Sequence, residues 1–273
     1  MTHVLDGLGV PRKMGLKLVR EPDPRDLVLA GGGGLSFPET FSEHDGALRP
    51  VYDQGDAGSC ASNATALAFA FEADRQANRS VNFDPARLFL YDMARLEDGT
   101  TLTDDGGSTI RAVFAAASKK GICREDLWPY ITSKLSLMPS EAAFADAQKN
   151  RVQQWARAAG VNAIKAALSR GHLLVFGMDL PDHFMSREVA QSGVVDWRAG
   201  QKFNIGGHAM VVYGWDKNRW KVRNSWGQGW GVEGNCLIDM RFTQEDVASD
   251  YIFGKLVETE ADAITFDGED TQP

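Results

Sequence analysis

An α+β fold with two unlike halves is predicted for this 273-residue chain. Three observations predict it: apolar residues keep helical spacing through the first half, short β-type runs fill the second, and the two do not alternate as a doubly wound parallel sheet requires. The apolar and charged fractions, 43% and 24%, are those of a globular protein able to bury a core.

Residues 1–34 form an N-terminal extension carrying "PRKMGLKLVR", the proline-rich "EPDPRD" and the helix-breaking "GGGG" of residues 31–34, read as a hinge. "MGLKLVR" alternates too irregularly for a helix, and Pro22 and Pro24 keep the chain around them extended. The extension is therefore expected to run as an extended strap. Residues 35–150 form a mainly helical half. From Cys60 to Gln76, Ala64, Leu67, Ala68 and Phe71 keep helical spacing while Ala66, Phe69 and Ala70 extend the apolar surface almost all round, which places this helix at the centre of a domain. A second helix is predicted at "DPARLFLYDMARL", with Asp84 as cap and Pro85 at its first position, and a third at "STIRAVFAAASKK", capped by Ser108 and closed by Gly121. A polar helical stretch comes next, around residues 140–169. Residues 151–257 form the β-rich half, with strands at "HLLVFGMDL", "HAMVVYGWD", "RWKVRNSWG" and "GNCLIDMRF" separated by glycines and charged turns. Residues 258–273 make an acidic tail, expected to be mobile.

The net charge of −8 owes six charges to Glu258, Glu260, Asp262, Asp267, Glu269 and Asp270, which leaves the rest near balance at about −2. No nucleic-acid partner is expected from that distribution. "MTHVLDGLGVPRKMG" lacks the order of a secretory signal, and no apolar run approaches membrane-spanning length. A monomer without membrane association is expected, cytoplasmic or exported without a cleavable signal. Three cysteines, Cys60, Cys123 and Cys236, are too few for a disulfide framework, and neither CxxC nor HExxH occurs, so no metal or cofactor is expected. "GGGG" lacks the GK[ST] ending of a phosphate loop. The glycosylation patterns at Asn63 and Asn78 are read as accidental, the first because it falls inside the central helix.

Cys60 stands where a glycine-rich turn enters that helix, so unsatisfied N–H groups and the positive end of the dipole favour its thiolate. A lone cysteine is more often a buried hydrophobe, and a nucleophile needs a base and an orienter. Among the five histidines, His208 in "IGGHAMVVYGW" begins an apolar strand, where a side chain projects from a sheet edge; His3, His44, His172 and His183 have polar neighbours and are expected to be solvated. Asn224 in "RNSWGQGWG" is placed to accept from the imidazole N–H, kept dry by Trp226.

With these residues the chain resembles the papain family of cysteine peptidases. The matching residues are Gln54, Gly55, Gly58, Ser59 and Cys60; Gly107 in "DDGGS"; "GI…PY" over residues 121–130; His208 with Ala209; and "NSWGQGWGVEGN" from Asn224. The resemblance spans about residues 36–257, with 148 residues separating Cys60 from His208. It implies a papain-like fold, with a helical left domain carrying Cys60, a right domain of β-barrel character carrying His208 and Asn224, and an active site between them. It implies catalysis by Cys60 and His208 as a thiolate–imidazolium pair, with Asn224 orienting the imidazole and Gln54 in the oxyanion hole. It implies substrate binding by Gly106, Gly107 and Trp226, with a peptide or protein as substrate, and it puts residues 1–34 where the family carries an inhibitory propeptide, so the strap is expected to lie across or beside the cleft, either inhibiting or bracing. Three positions depart from the family: Ala57 and Asp104 replace a disulfide-bonded pair, and Ala61 replaces a tryptophan after the nucleophile. The missing bridge suits a reducing compartment. The second function class is a catalytically weak or inactive binding module on the same fold, its pocket altered by Ala61.

Overall fold

The computed structural model describes residues 3–19, 21, 23–24, 26–29, 35–77, 83–243 and 247–258. The proposed hinge at residues 31–34, the Asn78 glycosylation pattern and the acidic tail from residue 259 lie outside these. Strands β1 (Val4–Leu5), β2 (Pro11–Arg12), β3 (Leu27–Leu29) and β4 (Thr40–Phe41) precede three helices, α1 (Cys60–Gln76), α2 (Arg87–Glu97) and α3 (Ile110–Lys120). Then come α4 (Glu141–Ala147), β5 (Asn150–Ala158), α5 (Gly160–Ser169), β6 (Leu174–Asp179), α6 (Arg187–Ser192), β7 (Val194–Val195), β8 (Gly207–Asp216), β9 (Arg219–Arg223), β10 (Asn235–Asp239) and β11 (Ala248–Glu258).

Helix α1 is the axis of the molecule. Every residue from Cys60 to Glu72 is buried, as its nearly continuous apolar surface requires. Its alanines let neighbours approach closely, while Leu67, Phe69 and Phe71 share a core with Ile110, Val113 and Phe114 of α3 and with Ala209, Val211 and Tyr213 of β8. The alternate residues of β8, Met210, Val212 and Trp215, face a second core containing Phe184, Trp220, Trp226 and Trp230. A strand buried on both faces accounts for the unbroken apolar run "HAMVVYGW".

The large sheet has the order β3-β5-β11-β6-β8-β9-β10-β7, with β4 also paired to β8. It does not close into a barrel among the described residues, so the expected barrel character is corrected to an open, mostly antiparallel sheet. The expected helix over residues 140–169 is also corrected: α4 and α5 flank a strand, β5, which pairs with β11 and β3. Only alternate positions of β5, among them Val152, Ala156 and Ala158, are buried, and its polar Gln153 and Gln154 hid the pattern.

Two helix starts differ from expectation. Helix α2 begins at Arg87, because Glu125 accepts from the Arg87 N–H at 2.9 Å and so supplies the cap from another element. Asp84 instead accepts from the Tyr52 hydroxyl at 2.6 Å. Helix α3 is capped by Thr109, whose side chain accepts from the Ala112 N–H, and Ser108 is left with backbone partners in the N-terminal extension. Gly121, at φ 86°, closes α3 as expected.

Helix α2 anchors the loop that carries Gly106 and Gly107. Arg95, fully buried, donates to Asp92 at 2.6 Å, to the Leu102 and Asp104 carbonyls at 2.7 and 3.2 Å, and to the Leu135 carbonyl at 2.6 Å. Burial pushes the Asp92 carboxyl up to about 7, opposed by hydrogen bonds from Trp128 and Arg95. Removing the guanidinium would strand a buried carboxylate and three carbonyls. Arg95→Ala should therefore lose about 3–5 kcal/mol, seen as a melting temperature lower by roughly 10 °C. A shift within about 2 °C would mean that the loop is held by other contacts.

Candidate active site

The turn before α1 brings Gln54, Gly58 and Cys60 to the edge of β8, where His208 begins. All three side-chain-bearing residues, Gln54, Cys60 and His208, are fully buried. His208 Nε2 lies 2.8 Å from Asn224 Oδ1, an atom that also accepts from the Ser225 N–H at 2.8 Å. An amide oxygen only accepts, so Nε2 carries the proton and Nδ1 presents its lone pair. Trp226 packs on the imidazole with centroids 4.8 Å apart, and Phe184, itself edge-on to Trp226, lies 6.4 Å from the imidazole. The expected Asn224 and Trp226 arrangement around His208 is present in geometry.

Gln54 is fixed at both ends of its amide. Its Oε1 accepts from Ser225 Oγ at 2.8 Å, and its Nε2 donates to the Ala57 carbonyl at 2.9 Å and weakly to the Lys13 carbonyl at 3.5 Å. Its own N–H donates to the Ser225 carbonyl at 2.9 Å. Ser225 escaped the sequence reading although it stands next to Asn224 in the quoted motif, because nothing local points a serine at a residue 171 positions away.

Between the two halves runs the N-terminal extension. The Leu16 N–H donates to the Gly207 carbonyl at 3.2 Å, the Ser108 N–H to the Gly15 carbonyl at 2.9 Å, and the Lys17 N–H to the Ser108 carbonyl at 3.1 Å. The strap thus forms bridges with both walls, parallel to residue 108 and antiparallel to residue 207. Met14 packs into the sheet-side core and Leu16 into the helix-side core. Gly15 passes where nothing larger fits: a Cβ there would lie 1.9 Å from the Gly58 carbonyl oxygen, and one on Gly107 would lie 1.7 Å from that of Gly15. Gly107 contributes clearance at φ 84°, and Ser108, not expected from sequence, makes the backbone bonds. Gly106 stands beside them, packed against Asp104 of its own loop.

Charged residues pin the strap at its start. Arg12, buried, donates to Asp6 at 3.0 Å, to Asp53 at 2.8 Å and to the Trp226 carbonyl at 2.9 Å, with its guanidinium 5.4 Å from the Trp226 ring centroid. Lys13 pairs with Asp105 at 2.6 Å, and Asp105 also takes the Gly58 N–H and the Tyr91 hydroxyl.

Burial shifts the two groups in opposite directions. Burial pushes the Cys60 thiol up to about 11, against hydrogen bonds from the backbone of Ala209, Gly15 and Ala61. Burial lowers His208 to about 4; the Asn224 bond raises it, and the nearby Arg12 charge lowers it further. Both shifts favour the neutral thiol and the neutral imidazole, and His208 Nδ1 makes no hydrogen bond among the described residues.

Elsewhere, His44 and His183 are buried, a correction to the expectation that they are solvated. His44 sits edge-on to Phe41 and Phe71 with Nε2 at 3.0 Å from the Leu168 carbonyl, and the polar residues on either side of it, Glu43 and Asp45, gave no sign of that packing. Cys123 and Cys236 are buried thiols whose ionisation burial opposes. Asn63 is buried too, with its amide donating to Ser59, which fits an accidental glycosylation pattern.

The family model described as papain family cysteine protease matches residues 37–253. This chain belongs to the papain family of cysteine proteases. An uncharacterized peptidase C1-like protein of Acanthamoeba polyphaga mimivirus is 33% identical over 229 residues, covering 80% of this chain and 70% of that one. Cathepsin K of Gallus gallus is 29% identical over 252 residues, 89% of this chain and 69% of its own. Among solved structures, xylellain, a cysteine protease from Xylella fastidiosa, superposes with a TM-score of 0.75 at 26% identity, covering 93% of this chain and 98% of that chain. The papain-family fold is accommodated despite the departures: Ala57 and Ala61 are both buried, the second in the core beside Leu67 and Val211.

The depressed His208 has a consequence for stability. The folded chain keeps its imidazole neutral down to about 4, while the unfolded chain takes up a proton near the ordinary 6.5. More protons bind the unfolded state in that window, so stability falls as pH drops through it. From pH 7 to pH 5 the wild-type chain should lose on the order of 1–2 kcal/mol more than a His208→Gln variant, read from denaturant midpoints. Equal losses would contradict a neutral, buried His208.

Proposed function

We propose that this papain-family protein is an endopeptidase, held latent by its own residues 13–17, in which Cys60 is the nucleophile and His208 the general base and acid. The observation that carries the reading is the convergence of Cys60, the Asn224-oriented His208 and the Gln54 amide on one channel, which an extended segment fills by backbone bridges. That is how a strand-like peptide would be held there.

When the strap lifts, water returns to the cleft and the Arg12 charge leaves. Returning water lowers the thiol and raises the imidazole, and loss of the Arg12 charge raises the imidazole further, so the proton passes from Cys60 Sγ to His208 Nδ1. The thiolate attacks a peptide carbonyl carbon, and the π electrons move onto oxygen. Gln54 Nε2, freed from the Lys13 carbonyl, and the Cys60 N–H donate to that oxyanion. His208 gives its proton to the departing amine as the C–N bond breaks. A water molecule, deprotonated by His208, then releases the acyl group and restores the thiol. Asn224 keeps Nε2–H engaged, so that Nδ1 faces the sulfur throughout. Gly107 clears the channel, Gly106 shapes its loop, Ser108 and Gly207 supply substrate backbone bonds, and Trp226 walls the histidine side. The site is complete within one chain, which suits a monomer, and three free thiols suit a reducing compartment.

The full-length protein, Cys60→Ala, Asn224→Ala and Gly15→Val should be compared on one fluorogenic peptide. Valine at position 15 cannot pass Gly58, so Gly15→Val should hydrolyse several-fold faster than wild type. Cys60→Ala should show none, and Asn224→Ala a partial loss. A folded Gly15→Val with no hydrolysis would leave a binding module; equal wild-type and Gly15→Val rates would leave a structural brace.

A further inference from the structure

The two proposed oxyanion donors come from different segments, Gln54 before the turn and Cys60 after it. Within the turn, Gly55 sits at φ 61°, the Ala57 N–H reaches the Gln54 carbonyl at 3.4 Å, and Gln54 Nε2 holds the Ala57 carbonyl at 2.9 Å, but none of these reaches Ser59 or Cys60. A side chain from far along the chain joins the two segments. Tyr130 Oη donates to the Gln54 carbonyl at 2.9 Å and lies 2.5 Å from Ser59 Oγ, on the residue preceding Cys60.

The hydrogens run one way. Asn63 Nδ2 donates to Ser59 Oγ at 3.0 Å and to the Ser59 carbonyl at 3.0 Å. The Gln54 carbonyl can only accept, so the tyrosine proton goes to it and the serine proton to Tyr130 Oη. Burial pushes the Tyr130 hydroxyl up to about 12, which keeps that proton in place at neutral pH. The ring is clamped in turn. Arg87 lies 4.3 Å from the Tyr130 ring centroid and 4.5 Å from that of Tyr52, while Glu125 takes both the Arg87 guanidinium at 2.9 Å and the Tyr130 N–H at 2.8 Å.

We infer that Tyr130 is a positioning residue for the hydrolytic reaction: by bridging the Gln54 carbonyl and the Ser59 side chain, its hydroxyl sets the spacing of the Gln54 amide and the Cys60 N–H. The inference rests on the proposed oxyanion role of those two donors. Tyr130 touches neither the sulfur nor the imidazole, so its influence is confined to steps that build charge on a carbonyl oxygen. An oxyanion stabilised by preorganised donors is sensitive to small displacements of either one.

That confinement gives the test. Peptide hydrolysis passes through an oxyanion, whereas alkylation of Cys60 by iodoacetamide displaces iodide at a methylene carbon and needs none. Both reactions need the strap lifted, so their ratio in the full-length chain cancels that equilibrium. Tyr130→Phe keeps the ring and its stacking and deletes only the hydroxyl. Its kcat should fall about tenfold with KM within about twofold, while the Cys60 alkylation rate stays within about twofold of wild type. Ser59→Ala, which removes the other arm of the bridge, should give the same split, and the double variant should lose no more than the stronger single one. Unchanged hydrolysis in Tyr130→Phe would overturn the inference. So would a parallel fall in hydrolysis and alkylation, or fully multiplicative losses in the double variant. Wild-type protein that alkylates at Cys60 but cleaves no peptide would instead remove the underlying peptidase reading, and this inference with it.

Discussion

Cys60 meets the start of β8, its thiol taking a hydrogen bond from the Ala209 backbone, because an alanine-rich helix, buried on every side, lies against a strand that is itself buried on both faces. The burial of α1 leaves its first residue no position other than the seam between helices and sheet. Strand β8 delivers the imidazole to the same seam from the start of its apolar run. Cys60, Cys123 and Cys236 are all free, so nothing in this arrangement depends on a disulfide. The loop bearing Gly106 and Gly107 is secured by Arg95, Tyr91 and Asp105 hydrogen bonds. Polar anchoring from α2 thus holds this loop.

The seam is a channel for backbone, not for side chains. Gly15, Gly58 and Gly107 approach within distances that exclude a Cβ, so the strap crosses the site as bare chain flanked by Met14 and Leu16, which dip into opposite cores. Its presence is chemical as well as steric. Burial raises the Cys60 thiol to about 11 and lowers the His208 imidazole to about 4, so both shifts favour the neutral forms. In the proposed function, latency and activity are two solvation states of one site.

Much of this was legible in the sequence. The apolar wrap of residues 60–76, the run from His208 to Trp215 and the ordered Cys, His and Asn motifs pointed to α1, β8 and the site they share. The features that escaped depended on partners far away in the chain. Strand β5 is polar at Gln153 and Gln154 and is a strand only because it pairs with β11, about a hundred residues later. The cap of α2 is the carboxylate of Glu125 rather than Asp84, and His44 is buried by Phe41 and Phe71, which come from a strand and a helix. Ser225 and Tyr130 lay inside recognised motifs, yet their partners Gln54 and Ser59 are joined to them only by the fold. The neutral state of Cys60 was invisible for the same reason, since a helix N-terminus argues for a thiolate until the strap's burial is known.

The central claim is that residues 13–17 occupy the place of a substrate over a competent Cys60. Its most direct test is the rate at which an epoxysuccinyl label modifies each cysteine, followed by mass spectrometry of the full-length chain and of Gly15→Val. The account predicts a single adduct on Cys60 in both proteins, formed several-fold faster in Gly15→Val, with Cys123 and Cys236 untouched. Equal rates in the two proteins, or an adduct on either of the other cysteines in place of Cys60, would contradict it.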